Sequence, residues 1–518
     1  NEAKEYLWVS YALADSEGSG LQPASLMQRL RKIFPQAEFI SIPLETVERE
    51  DELLLSAPGP ALSGLASALR GQKELGIMQS FWQDVYNWAR EQPELTAGLN
   101  LALSGLFAKG RADFLPPELA RQLFLSGNRL RGSVTQFELF SKCPFAHFAS
   151  YGLKLQERRE YKFRSLDLGQ LLHAVLSSYG QKVGEEYNHE WEAVPEARRS
   201  EICHELIEEL APRLQSEVLL SRDNYRHLKR RLQATAERAV NQLTAWAALS
   251  KFRPAFFEEH FGGAGDRVRL KPLPLEGGYS LSFKGQIDRL DVRTDAPYYL
   301  VIDYKTGQAA INVFEVYYGL RLQLLAYLLV ARELLAQQGE QRLPAGMLYA
   351  FLQNPLIKAG GKGKLSGTEL EKQVQKKLRM PGWVVADREI IEALEAGAQG
   401  EYIVAKVKEG KGEEEISFVP PDSVKTPQEF ELLLSYVEHI LKDTGNRILA
   451  GEIAVRPYRL KNKQEENACT YCRFKDVCGF DTNLPGCSYR EIRPQEAAVL
   501  EEEMARLMGR EDWKDAIH

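Results

Sequence analysis

The segment Val301–Ile302–Asp303–Tyr304–Lys305–Thr306–Gly307 ends an apolar run on a carboxylate and an ammonium, and a fold that buries this run must accommodate both charges. Side chains alternate along a strand, so Asp303 and Lys305 share one face while Tyr304 takes the other. Gly285–Gln286–Ile287–Asp288–Arg289 sets another acid inside an earlier strand-like run. The Asp295–Pro297 turn between the two runs makes them antiparallel neighbours, which brings Asp288 close to Asp303. An acid inside an apolar strand is costly unless it is paired or bound to a cation. Two such acids on adjacent strands form the oxygen-rich, negative setting that Mg²⁺ prefers. The bland alternative for Asp303–Tyr304–Lys305 alone is an exposed ion pair at a strand end.

Four further residues join this pair. Gly169–Gln170–Leu171–Leu172–His173 puts a histidine on an apolar helix, where a lone histidine is more often core than ligand. Gln323 and Tyr327, four apart, share a helix face and would by themselves pass for polar rim. Glu258 is ambiguous because Glu259 stands beside it. The order of these elements carries more weight than any one of them. Gly-x-x-x-His, then Glu, then Gly-x-Ile-Asp-Arg, then Asp-x-Lys-Thr-Gly, then Gln-x-x-x-Tyr resembles the RecB-type branch of the PD-(D/E)XK nucleases at every step.

That resemblance implies an α/β fold, a mixed central sheet flanked by helices. It implies that His173, Asp288, Asp303 and the Tyr304 carbonyl bind Mg²⁺, or Mn²⁺ in its place. Lys305 would hold or help deprotonate the attacking water, Gln323 and Tyr327 would position the strand or Lys305, and Glu258 would orient a ligand without touching the metal. The products would be a 5′-phosphate and a 3′-hydroxyl.

Six cysteines are too few for a disulfide scaffold, and three of them crowd into Cys469-x-x-Cys472 and Cys478. A tetrahedral metal or a [4Fe–4S] cube needs a fourth thiolate, for which Cys143, Cys203 and Cys487 are candidates. Spacing alone fits zinc as well as iron–sulfur. One cysteine, Cys143, lies ahead of the nuclease-like elements and three lie behind them, an arrangement that resembles the iron-staple nucleases of the AddB (RexB) type. The resemblance implies a [4Fe–4S] cluster on Cys143, Cys469, Cys472 and Cys478 that ties the two ends of the nuclease domain together; Cys203, on an expected amphipathic helix, reads as inert, and Cys487 is the remaining competitor for fourth ligand.

Local stretches extend the likeness: Phe137–Glu138–Leu139–Phe140, Tyr151–Gly152–Leu153, Gly451–Glu452–Ile453, and Leu7–Trp8–Val9–Ser10–Tyr11 near the start. They imply that residues 1–130 are the last part of an inactivated helicase-like domain and that 131–518 form the nuclease domain. No Gly-x-x-x-x-Gly-Lys-Ser/Thr occurs, so ATP hydrolysis is not expected of this chain. The implied partners are an AddA-type helicase–nuclease subunit and DNA, as single strands and duplex ends. The implied task is degradation of the 5′-terminated strand while double-strand breaks are processed for recombination. A non-catalytic DNA-binding scaffold and a free-standing single-strand exonuclease are the competing readings.

A net charge of −6 leaves room for only a local basic surface toward DNA. No apolar run approaches the ~18 residues of a membrane span, and the first residues lack the basic start and apolar core of a signal peptide. A cytoplasmic protein, cut from something longer, is therefore expected. Secondary structure reads as strands at 6–10 and 37–42, helices at 26–33, 79–91 and 99–108, a capping box at Thr135 and Glu138, helices at 166–183 and 195–251, strands at 268–270, 279–291, 298–304, 345–353 and 382–386, helices at 317–336 and 426–443, and a mobile Gly/Lys-rich loop at 358–368.

Overall fold

The computed structural model describes residues 9–14, 20–38, 40, 51–76, 78–106, 113–157, 165–213, 223–263, 265–357, 367–409, 416–461, 463–482 and 487–510. The expected strand at 6–10, part of that at 37–42 and nearly all of the 358–368 loop lie outside these residues. The chain divides into two compact units, 1–110 and 111–518, twenty residues before the change of character expected near 130.

In the first unit, helices Pro58–Leu75, Phe81–Glu91 and Thr96–Leu106 enclose a small core of Ala61, Leu65, Trp82, Val85, Ala89 and Leu99. Gly64 lets the Trp82 indole approach the first of these helices closely, since a Cβ there would collide with the edge of the ring.

The second unit is built on a mixed sheet. Its long central strand, β3 (Ser280–Arg293), pairs in parallel with β1 (Arg129–Ser133) at one end. It pairs antiparallel with β2 (Phe252–Phe261) and with β4 (Tyr298–Lys305) at the other. Beyond β4 come β5 (Leu343–Phe351), parallel to it, and β6 (Gly382–Val385), antiparallel to β5. Leu300, Val301 and Ile302 in the middle of β4 are completely buried, so both faces of this strand are covered. That explains its continuous apolar run, because a strand covered on both sides has no face to give to polar residues. Each such side chain contributes about 1.5–3 kcal/mol to folding.

Helices cover the sheet. α1 (Val134–Lys142) follows β1 directly, and α2 (Ser165–Tyr187) packs on β2. α3 (Glu196–Leu210) and α4 (Asp223–Ala247) complete a helical layer with α2. α5 (Gln323–Gln337) lies on β4 and β5, backed by α6 (Pro427–Leu449).

Three expected elements differ from the observed ones for identifiable reasons. The single helix expected over 195–251 is interrupted at Ala211–Arg213, where Pro212 removes an amide donor and α3 ends. The helix expected at 317–336 starts only at Gln323, because the chain first turns through Gly319 with φ of +69°. Thr135 and Glu138 do not form the expected capping box. Ser133 caps α1 by accepting from the Gln136 N–H at 3.2 Å, and Glu138 bonds elsewhere.

Candidate active site

Four elements bring the polar residues to one cavity of about 600 Å³ whose lining includes His173, Glu258, Gln286, Asp288 and Lys305. α2 supplies His173, one turn past Gly169. β2 and β3 supply Glu258 and Asp288 from directly opposed positions, since Phe257 pairs with Arg289 and Glu259 with Ile287. β4 supplies Asp303 and Lys305. Its register, with Ile302 against Arg289, sets Asp303 beside Asp288 as the turn between the strands required.

His173 is the hub. Its Nδ1 stands 3.4 Å from Asp288 Oδ1 and 3.6 Å from Glu258 Oε1, and its Nε2 is 3.1 Å from the Tyr304 carbonyl oxygen. Burial alone would depress the imidazole's pKa, but the two facing carboxylates overcome it and raise the value to about 10. The second Asp288 oxygen accepts from the Tyr304 N–H at 2.7 Å, so β4 itself orients this carboxylate. Glu258 Oε2 accepts from the Gln286 side chain, while its Oε1 is buried without a hydrogen-bond donor. Glu258 also has φ of +50°, in the left-handed region that L residues avoid, and such strain persists where the surroundings hold it in place.

A second group adjoins the first. Lys305 Nζ lies 2.5 Å from Asp303 Oδ2 and donates to Gln323 Oε1 at 3.3 Å. Gln323 Nε2 donates to Asp303 Oδ1 at 3.0 Å and to the Tyr327 hydroxyl at 2.9 Å. Asp303 is almost fully buried, and burial together with the Asp288 charge pushes its pKa up to about 7 despite the Lys305 ammonium. The Lys305 ammonium also sits over the Tyr349 ring, 5.6 Å from its centre.

All seven polar residues singled out in the sequence thus meet at one end of the sheet, in two sets. The donor atoms of His173, Glu258 and Asp288 lie within 4.8 Å of one another, a nitrogen and oxygens of the kind that hold a divalent cation. The bare Glu258 Oε1 fits that role. Asp303, expected as a ligand, pairs with Lys305 and Gln323, whereas Glu258, expected to orient a ligand without touching the metal, turns its Oε1 to His173 at 3.6 Å. Sequence reasoning passed over Gln286, although its place two residues before Asp288 on β3 puts it on the same strand face. Glu138, expected only as the capping-box partner of Thr135, instead accepts from the Leu322 and Gln323 amides.

The cysteines gather at a separate corner. Cys143 ends α1 and packs with Phe474 and Cys472. Burial pushes its thiol up to about 11, with the neighbouring Cys472 adding a smaller upward push. Cys469 is raised by burial and by Cys472 and Cys478 beside it. Cys478 Sγ accepts from the Phe480 N–H at 3.4 Å, the sort of bond that steadies a metal-bound thiolate. Cys203 is buried in α3, where desolvation raises it to about 12.

A sequence profile of the PD-(D/E)XK nuclease superfamily matches residues 131–479, the stretch that contains every residue of the cavity and all four clustered cysteines. The chain belongs to the PD-(D/E)XK nuclease superfamily. Nucleases of this superfamily use divalent metals, and His173, Glu258 and Asp288 form a cluster able to hold one. A second profile, the fifth domain of the AddB ATP-dependent helicase/deoxyribonuclease, matches residues 47–105 in the first unit. Curated relatives named as B-type subunits of an ATP-dependent helicase/deoxyribonuclease come from Desulforamulus reducens, at 36% identity over 502 residues, and Desulforudis audaxviator, at 38% over 515. A third, from Pelotomaculum thermopropionicum, is 36% identical over 518 residues. These matches cover 96%, 98% and 99% of this nuclease-superfamily chain, but only 42%, 43% and 44% of the relatives' own lengths.

Proposed function

We propose that this chain is the metal-dependent deoxyribonuclease part of an AddB-type subunit, cutting the 5′-terminated strand of a broken DNA end that an AddA-type helicase–nuclease unwinds. The observation that carries the reading is the meeting of His173, Glu258, Asp288 and Lys305 in one cavity, with Asp303 buried behind Lys305 and paired to it. Mg²⁺ or Mn²⁺ would be held by His173, Glu258 and Asp288, with Asp303 and the Tyr304 carbonyl, on the adjoining strand, as further oxygens. When bound, such an ion polarises the scissile phosphate and makes a water more acidic.

The protein's own groups do the rest. Lys305, fixed by Asp303 and Gln323, presents its ammonium to the cavity, where it holds the attacking water and offsets charge growing on the phosphate. Asp303 keeps that ammonium pointed one way, and Tyr327 locks the Gln323 amide through its hydroxyl. The test is cleavage of single-stranded DNA with Mg²⁺ or Mn²⁺, abolished by a chelator. Lys305→Met should cut the rate roughly 10²–10³-fold while the Mg²⁺ concentration for half-maximal rate stays near the parent's. A parent chain inert with either ion would defeat the reading and leave the scaffold alternative.

The four clustered thiols would hold a [4Fe–4S] cluster that ties α1 to the 469–478 segment; the resemblance to the iron-staple nucleases favours iron over zinc. Protein purified without air should show broad visible absorption with matching iron and sulfide, lost in Cys143→Ser. Zinc alone in the site would refute this. Among the described residues no helix is long and apolar enough to cross a membrane.

A further inference from the structure

α5 has no capping side chain of its own: Leu322 stands at its N-cap, and the first-turn amides of such a helix need an acceptor from elsewhere. Two of them find the same one. Glu138 Oε1 accepts from the Leu322 N–H at 2.7 Å and from the Gln323 N–H at 3.1 Å, across 184 residues of sequence. A carboxyl at this point also meets the positive end of the helix dipole. Glu138 is buried, and desolvation lifts its pKa above the ordinary carboxylate range although the two amides pull it back.

The same junction is fixed a second time. Gly319, in the turn that leads into α5, lies so close to α1 that a Cβ would fall 2.6 Å from Ser141 Oγ. Glu138 and Ser141 are three residues apart and share one face of α1. α1 in turn is held by Ser133 at its start, by the Cys143 N–H bonded to the Leu139 carbonyl at its end, and by Arg490, which donates to the Ser141 carbonyl. The backbone amide that Glu138 grips belongs to Gln323, whose side chain joins Asp303, Lys305 and Tyr327.

We propose that Glu138 is a positioning residue: as the distant cap of α5 it sets where Gln323 stands, and through Gln323 the direction of the Lys305 ammonium. It acts on the rate of cleavage and leaves metal and DNA binding alone, because His173, Glu258 and Asp288 hang from other elements. The inference rests on the nuclease reading above. What Glu138 must supply is an accepting oxygen, so an amide in its place should serve.

The experiment is steady-state cleavage of single-stranded DNA by the full chain with Mg²⁺ titration. It compares the parent with Glu138→Ala, Glu138→Gln, Gln323→Ala and the Glu138→Ala/Gln323→Ala double variant. Because a misplacement of about 1 Å costs up to roughly 100-fold, Glu138→Ala should lower kcat about 10- to 100-fold. KM and the half-saturating Mg²⁺ concentration should hold. Glu138→Gln should recover most of the rate. The double variant should be no slower than Gln323→Ala alone, within about twofold. Glu138→Leu, which keeps the volume, replaces the alanine variant if the latter does not fold. Additive losses, a parallel loss of Mg²⁺ affinity, or a slow but folded Glu138→Gln would overturn the proposal. A parent that does not cleave overturns the nuclease reading instead, whereas a cleaving parent matched by Glu138→Ala overturns only the role of Glu138.

Discussion

Asp288→Ala should remove metal-dependent cleavage altogether. Lewis-acid catalysis is worth several kcal/mol of transition-state stabilisation, so the rate should fall by about 10⁴-fold or more. Excess Mg²⁺ should not restore it. The reason is positional: Asp288 is the carboxylate shared between the two halves of the site, 3.4 Å from His173 on one side and bonded to the Tyr304 N–H on the other. The metal-free variant should nonetheless stay folded. Removing this buried acid sacrifices the Tyr304 N–H bond and the contact with His173 but relieves Asp303, whose pKa is held up to about 7 partly by the Asp288 charge. Measured side by side, cleavage and thermal melting should therefore separate, with activity gone and the melting temperature little changed. A melting temperature that collapses with the activity would make Asp288 a structural residue. The contrast with Lys305→Met is informative, since that variant should keep its Mg²⁺ response while losing rate.

Arg289→Met should be the most damaging substitution for stability. Arg289 lies on the strand face opposite Asp288, is wholly buried, and donates from Nε and Nη2 to the two oxygens of Asp291, each at 2.7 Å. Its guanidinium lies over the Trp191 ring at 4.8 Å and near Trp246 and Phe257. Methionine fills similar space but leaves the Asp291 carboxylate, equally buried, without a counter-charge. Breaking a buried pair from one side costs about 3–5 kcal/mol. Urea unfolding should show the midpoint falling at unchanged slope. The double variant Arg289→Met/Asp291→Leu should regain most of the loss, because removing both charges removes the desolvation problem. If the double variant is as unstable as the single one, packing of the guanidinium on the indoles, and not charge, is what the site needs. Arg289→Lys should not rescue, since an ammonium cannot match the bidentate carboxylate or the flat ring stack.

The two variants show how one strand divides its work. Asp288 turns toward the cavity while Arg289 and Asp291 turn toward the helical layer, and the alternation that does this is legible in Gly285–Arg289 from residue order alone. The pairing of Asp288 with Asp303 was equally legible, because a short turn between two strands leaves little choice of register. Gln323 and Tyr327 shared a face by helical spacing alone. Glu258 and Glu259 were a different matter. Both are acids in one strand, and only the β2–β3 register together with the +50° φ at Glu258 aims that residue at His173; Glu259 meets Arg267 instead, at 3.9 Å.

The sequence by itself determined the kind of chemistry. Acids in apolar strands, an ordered series of polar residues and a crowded cysteine triplet are local patterns, and local patterns carry periodicity and ligand type. Only the tertiary structure decided which of these carboxylates face His173 and which is paired with Lys305 and Gln323. It also decided that Glu138 serves a helix 184 residues downstream and not its own. A side chain's partner across such a distance is fixed by how the layers pack, and no spacing along the chain encodes that.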